Sequence, residues 1–131
     1  MVTLSTLREE TFPGTRPEFL AFRALLRLGK IPDVDFTFQS SAFGGRTERG
    51  GLIIDFLFID PPELAISVLG SYFHYVLGGG TQGRDLMTRA ILAGEGITLI
   101  FVDDVDLEAD AEAVMSNALR FQDNSQMVRI S

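Results

Sequence analysis

Asp55 is the one ionisable residue in the run Leu52-Ile53-Ile54-Asp55-Phe56-Leu57-Phe58-Ile59. A carboxylate inside an apolar strand costs on the order of several kcal/mol unless it is solvated, paired or bound to a metal. A strand end open to water or an arginine partner satisfies that demand as well as a cation does. His74, the single histidine, follows 19 residues later, just beyond Gly70. Any imidazole chemistry in this chain must run through it, although a histidine packed between Tyr72 and Tyr75 is equally a structural arrangement. Asp85 stands behind a glycine-rich stretch at the start of a helical pattern, where the helix dipole already favours an acid. Each residue has an ordinary explanation alone. Together they are the parts of metal-assisted hydrolysis. A cation on Asp55 would polarise a phosphate and lower the pKa of a water. His74 would take that water's proton, with Asp85 holding the imidazole's tautomer.

The surrounding sequence must position these groups. Thr15-Arg16-Pro17-Glu18 opens a helix through a capping box, with Pro17 in the first turn, and this accounts for Glu18 without any chemistry. Phe19, Phe22, Leu25 and Leu26 carry helical spacing to about Leu28, and Gly29 stops it. Val34 to Ser40 alternates as a half-buried strand. Phe43 to Gly51 is a glycine-bracketed loop carrying Arg46 and Arg49. Residues 52–59 and 64–69 read as buried strands, separated by the turn Asp60-Pro61-Pro62. Gly78-Gly79-Gly80 reads as flexible, residues 84–93 as a helix ended by Gly94 and Gly96, residues 97–102 as another buried strand, and residues 107–121 as a final acidic helix. The arrangement is α/β: a three-layer core, a mixed sheet flanked by helices, in the order α-β-β-β-α-β-α. Residues 1–14 form an N-terminal arm, 15–121 the domain and 122–131 a tail. The short loop between the first two strands requires antiparallel pairing, and the helix before the last strand permits a parallel one.

Composition removes several alternatives. The chain has 131 residues and no cysteine, which excludes disulfides, thiolate zinc sites and cysteine nucleophiles. One histidine excludes multi-histidine metal sites. No apolar run is long enough to span a bilayer and the N-terminus lacks signal-peptide character, so the expected compartment is the cytoplasm. The net charge is -7, yet residues 1–50 hold seven Lys/Arg against six Asp/Glu while residues 51–131 hold four against twelve. Any nucleic-acid contact is therefore expected in the first half, through Arg46 and Arg49 on the loop and Arg16, Arg23, Arg27 and Lys30 around the first helix.

The ordered set Thr15-Arg16-Pro17-Glu18, Leu25 to Gly29, Asp55, Val68 to His74, Arg84-Asp85 and Ile97 to Asp103 resembles the very-short-patch mismatch-repair endonucleases. Those enzymes belong to the restriction-endonuclease-like, PD-(D/E)XK superfamily. The stretch from Gly44 to Phe56 is also similar to small phage-encoded proteins of that fold. The resemblance implies a DNA endonuclease using weakly bound Mg2+ or Mn2+. It implies Asp55 as the metal-binding aspartate, the Val68 carbonyl as a second ligand, His74 as the catalytic histidine, Asp85 as its partner and Glu18 as the acid of the N-terminal helix. Leu69 stands where those enzymes have a second histidine. Ile66, Ser67 and Val68 supply no acid-x-lysine pair.

Two functional classes follow. The first is a metal-dependent endonuclease hydrolysing phosphodiester bonds in DNA, with no membrane partner. The second is a nuclease-like domain that does not cut and serves as an assembly or structural component of a phage particle. It would meet a second copy or other virion proteins through its C-terminal helix and the apolar tail residues Met127, Val128 and Ile130, in the host cytoplasm or the virion. A third reading makes the acidic second half a DNA mimic directed at a nuclease.

Overall fold

The computed structural model describes residues 2–39, 54–71 and 79–130, with side chains in the last stretch described from 85 to 128. A 3-10 turn, Glu9–Thr11, precedes α1 (Arg16–Arg27), β1 (Phe36–Phe38), β2 (Phe56–Phe58), β3 (Leu64–Leu69), α2 (Gly79–Gly94), β4 (Thr98–Asp103), α3 (Asp104–Leu119) and α4 (Gln126–Ile130). The strands form one mixed sheet in spatial order β1-β2-β3-β4. β1 and β2 pair antiparallel, as do β2 and β3. β4, reached through α2, lies parallel to β3 with Ile66 opposite Ile100 and Val68 opposite Val102.

Period-2 alternation along the strands sends side chains to two cores. Leu64, Ile66, Ile100, Val102, Phe36, Phe56 and Phe58 meet α1 and α3 on one face. Ala65, Leu69, Leu99 and Phe101 meet Leu92 of α2 and Met127 of α4 on the other. Helices thus cover both faces, and the class is α/β with a four-stranded mixed sheet. Phenylalanines dominate the first face. Phe22 packs edge-on against Phe36 and Phe38, with ring centroids 5.6 and 5.7 Å away. Phe12 joins them 5.1 Å from Phe38, so the segment ahead of α1 contributes to the core.

The helix ends follow local chemistry. Thr15 and Glu18 form the reciprocal capping box that the sequence specifies. Gly29 (φ 89°) ends α1 as its N–H donates to the Leu26 carbonyl and that of Lys30 to Leu25. Gly96 (φ 81°) ends α2 in the same way, through the Leu92 and Ala93 carbonyls. Both are left-handed caps that only glycine adopts without steric cost.

Several boundaries differ from expectation, β1 being Phe36–Phe38 within the alternating stretch from Val34. Of the strand expected over 52–59, the described residues 54–59 contain β2 at Phe56–Phe58, with Asp55 in a bend, while 52 and 53 lie outside the described residues. α2 begins at Gly79, so Gly79 and Gly80 are helical although glycine is a poor helix former, and tertiary context outweighs propensity here. α3 begins at Asp104 rather than 107 and is interrupted at Asp110 (φ -163°, ψ 86°). The Asp110 carboxylate accepts the Ala113 N–H at 3.1 Å and recaps the second half of the helix. Of the apolar tail residues, Met127 is fully buried in the core beneath α2, Val128 is exposed, and the side chain of Ile130 lies outside the described residues.

Candidate functional site

The two strands that bracket Asp55 separate at that residue. The β2–β3 ladder pairs Leu57 with Ala65 and Phe56 with Ile66. Regular alternation would then send residues 54 and 56 to the same face. Instead Ile54 packs with the α2-side core and Phe56 with the α1-side core. The bend at Asp55 absorbs the difference and turns its carboxylate toward β3. Oδ2 accepts the Val68 N–H at 2.8 Å, so a side-chain oxygen does the work of a strand carbonyl. On the other side the Asp55 backbone carbonyl accepts the Gln39 N–H at 3.0 Å, just beyond β1. The residue is only 4% exposed, and its Oδ1 is shielded from solvent. An acid thus sits at the fork of the sheet, fastened to the backbone of both neighbouring strands.

Val68, the residue whose carbonyl the resemblance assigns to a metal, is therefore joined to Asp55 directly. Immediately beyond β3 the chain is anchored again. The Asp104 carboxylate accepts both the Ser71 N–H, at 3.1 Å, and the Ser71 hydroxyl, at 2.6 Å. The same oxygen accepts the Val105 N–H at 2.7 Å, tying the end of β3 to the start of α3. Asp103, 1% exposed, accepts the Gln126 N–H at 2.8 Å. The C-terminal ends of the parallel strands β3 and β4 thus carry Ser71, Asp103 and Asp104, at the side of an open α/β sheet where ligands usually bind. Sequence reasoning assigned none of the three a role. The signal was present in Asp103-Asp104 directly following an apolar strand.

The remaining candidates divide. Glu18 is buried, and its Oε1 accepts the Thr15 N–H at 2.8 Å. A Cβ at position 14 would lie 2.9 Å from that oxygen, so the chain closes over the cap. Asp85 is half-buried in α2 with Oδ2 shielded. Arg16 is held by two acids, Glu9 at 2.8 Å and Glu108 at 2.8 Å. Its pKa is raised, first by the hydrogen bond to Glu9 and then by Glu108. Arg27 pairs with Glu112 at 3.4 Å, and Arg23 lies over the Phe19 ring. Arg16 and Arg27 of α1 thus face acids of α3, which compensates two of the charges expected to form a basic strip. Leu69, which stands where the enzymes the sequence resembles have a second histidine, is a core residue 2% exposed. His74, Arg46 and Arg49 lie outside the described residues, as does the expected contact of His74 with Asp55 and Asp85.

Among the described residues no group of three or more His, Cys, Asp or Glu side chains is arranged to hold a metal. No described helix is long and apolar enough to cross a membrane. Comparison with protein-family models, with curated proteins and with solved structures finds no match to this chain.

Proposed function

We propose that this chain is a restriction-endonuclease-like domain whose function is metal-dependent hydrolysis of phosphodiester bonds in DNA, centred on Asp55. The observation that carries the reading is the placement of that carboxylate. It sits where an antiparallel hairpin opens beside a parallel strand pair, joined through Oδ2 to the Val68 N–H. The element order of a helix, a three-stranded meander, a crossover helix and a parallel fourth strand supports the fold assignment.

In this reading Asp55 and the Val68 carbonyl hold Mg2+ or Mn2+, which supplies a Lewis acid at the scissile phosphate. The 2.8 Å bond from the Val68 N–H to Oδ2 holds the Asp55 carboxylate beside Val68. His74 accepts the proton of the attacking water, and Asp85 orients it. One carboxylate holds Mg2+ weakly, because that ion keeps most of its waters and relies on phosphate oxygens. Binding is therefore expected to need DNA.

A second reading, a nuclease-like domain that does not cut and acts in assembly, is favoured by Glu18. Its carboxylate is engaged in the α1 capping box, which removes one acid from the implied constellation. Incubation with supercoiled plasmid separates the two. Nicking with Mn2+ or Mg2+ that EDTA abolishes supports the enzyme. Intact plasmid under every divalent metal tried, from a folded protein, supports the assembly domain.

A further inference from the structure

A groove of about 310 Å3 runs along the outer edge of β4, between α3 and the segment 122–125 that leads into α4. It lies on the far side of β3 from Asp55 and shares with the strand ends described above the buried Asp103, whose carboxylate accepts the Gln126 N–H. Its accessible apolar lining comes from Ala109, Ala113 and Val114 of α3, over the buried Phe101 and Val102 of β4, and its accessible acids are Asp106 and Asp110, with Asp103 buried beneath. Asp110 is where α3 breaks, so its backbone leaves the helical path beside the groove. Asp106 and Asp110 carry the negative charge at the mouth of the groove, and no lysine or arginine is among the lining residues.

We propose that this groove docks a basic, extended segment of a partner protein, with lysine or arginine alternating with aliphatic residues. The argument is charge complementarity over an apolar floor. A long basic side chain lays its methylene stem on apolar surface and keeps its charged head at the rim, where Asp106 and Asp110 stand. An aliphatic neighbour fills the space over Val114. Side chains, rather than a backbone ladder, drive the docking, because the Asp123 carboxylate already accepts the outward Phe101 N–H at 2.8 Å. That bond also blunts a sheet edge that would otherwise pair with any strand. The carboxylate is itself fixed by the N–H and hydroxyl of Ser125, so the wall is preformed. Docking here is independent of whether the domain cuts DNA.

The test is fluorescence anisotropy with a labelled, end-capped Lys-Leu-Lys-Leu-Lys-Leu peptide and the full chain, with Glu-Leu-Glu-Leu-Glu-Leu as the control. Two double variants carry the same change in net charge. Asp106→Asn with Asp110→Asn alters the groove, and asparagine at 110 keeps the cap of the helix restart. Glu108→Gln with Glu112→Gln alters the acids that face α1. The expected result is saturable binding of the lysine peptide that weakens about tenfold in the first variant and stays within about twofold in the second. Equal weakening in both variants means a diffuse charge effect and overturns the proposal. So does binding of the glutamate peptide, absence of binding at millimolar peptide, or self-association of the chain that the first variant abolishes. Circular dichroism of both variants confirms that α3 is retained. Plasmid nicking is read separately, so failure here leaves the Asp55 reading standing.

Discussion

Replacing Asp55 by alanine and by asparagine separates its two roles. In the folded chain its Oδ2 is the acceptor for the Val68 N–H at 2.8 Å, and the residue is 4% exposed. Alanine removes the acceptor and leaves a sheet N–H facing a small void, at a cost of about 1–3 kcal/mol. Asparagine keeps an oxygen of the same size at the same place and discards a buried negative charge, whose desolvation opposes folding. The loss of charge and the gain of an amide N–H2 that needs its own acceptor work against each other, so asparagine should fall within about 1 kcal/mol of the parent. For a domain of this length each kcal/mol moves the melting temperature by roughly 3–5 °C. Calorimetry should therefore place Asp55→Ala roughly 3–15 °C below the parent and Asp55→Asn within roughly 5 °C of it, closer to the parent than alanine. Equal destabilisation by the two substitutions would refute the account, because the side-chain oxygen would then not be the acceptor that closes the fork.

Four further substitutions probe the frame. Phe121 ends α3 in the left-handed region (φ 62°) with its ring 41% exposed, so Phe121→Gly should stabilise the chain by about 0.5–1 kcal/mol in urea denaturation; a loss would mean that the ring packs. Met127 is fully buried, and Met127→Ala should cost about 2–5 kcal/mol by the same measurement; a neutral result would mean that α4 does not dock on the sheet. Thr15→Ala removes the N-cap of α1 and should cost about 1 kcal/mol, whereas Glu18→Gln retains an acceptor for the Thr15 N–H and should cost less than half of that. If Glu18→Gln slows nicking while stability holds, Glu18 serves the reaction as well as the cap.

The elements legible in the sequence are those with a complete local grammar. α1 has a capping box, a helical stripe and a glycine stop, and it forms as expected within a residue. β3 is a continuous apolar run with turn residues ahead of it, and its bounds are those expected. β4 is displaced by one residue. What was hidden depends on tertiary partners. Alternation marks Asp55 as anomalous, but nothing in its neighbours announces that its carboxylate takes the Val68 N–H and ends the ladder. Gly79 and Gly80 argue locally against the helix that contains them. Asp104 and Asp106 precede the helix expected from 107, yet they form the acidic first turn of α3, where the helix dipole favours them. The tail offered too short a run for periodicity, so burial of Met127 under α2 was not visible. At the candidate site the sequence marked Asp55 and Val68. It missed Ser71 and Asp104, whose contact spans 33 positions along the chain.

The most direct test of the central claim is the initial rate of plasmid nicking in Mn2+ by the parent chain and by Asp55→Asn, each shown to be folded. The account predicts that the parent nicks slowly, faster with Mn2+ than with Mg2+, and that Asp55→Asn loses at least ~100-fold in rate with its fold intact. Nicking by Asp55→Asn at the parent's rate, or a folded parent that never nicks DNA with either ion, would contradict it.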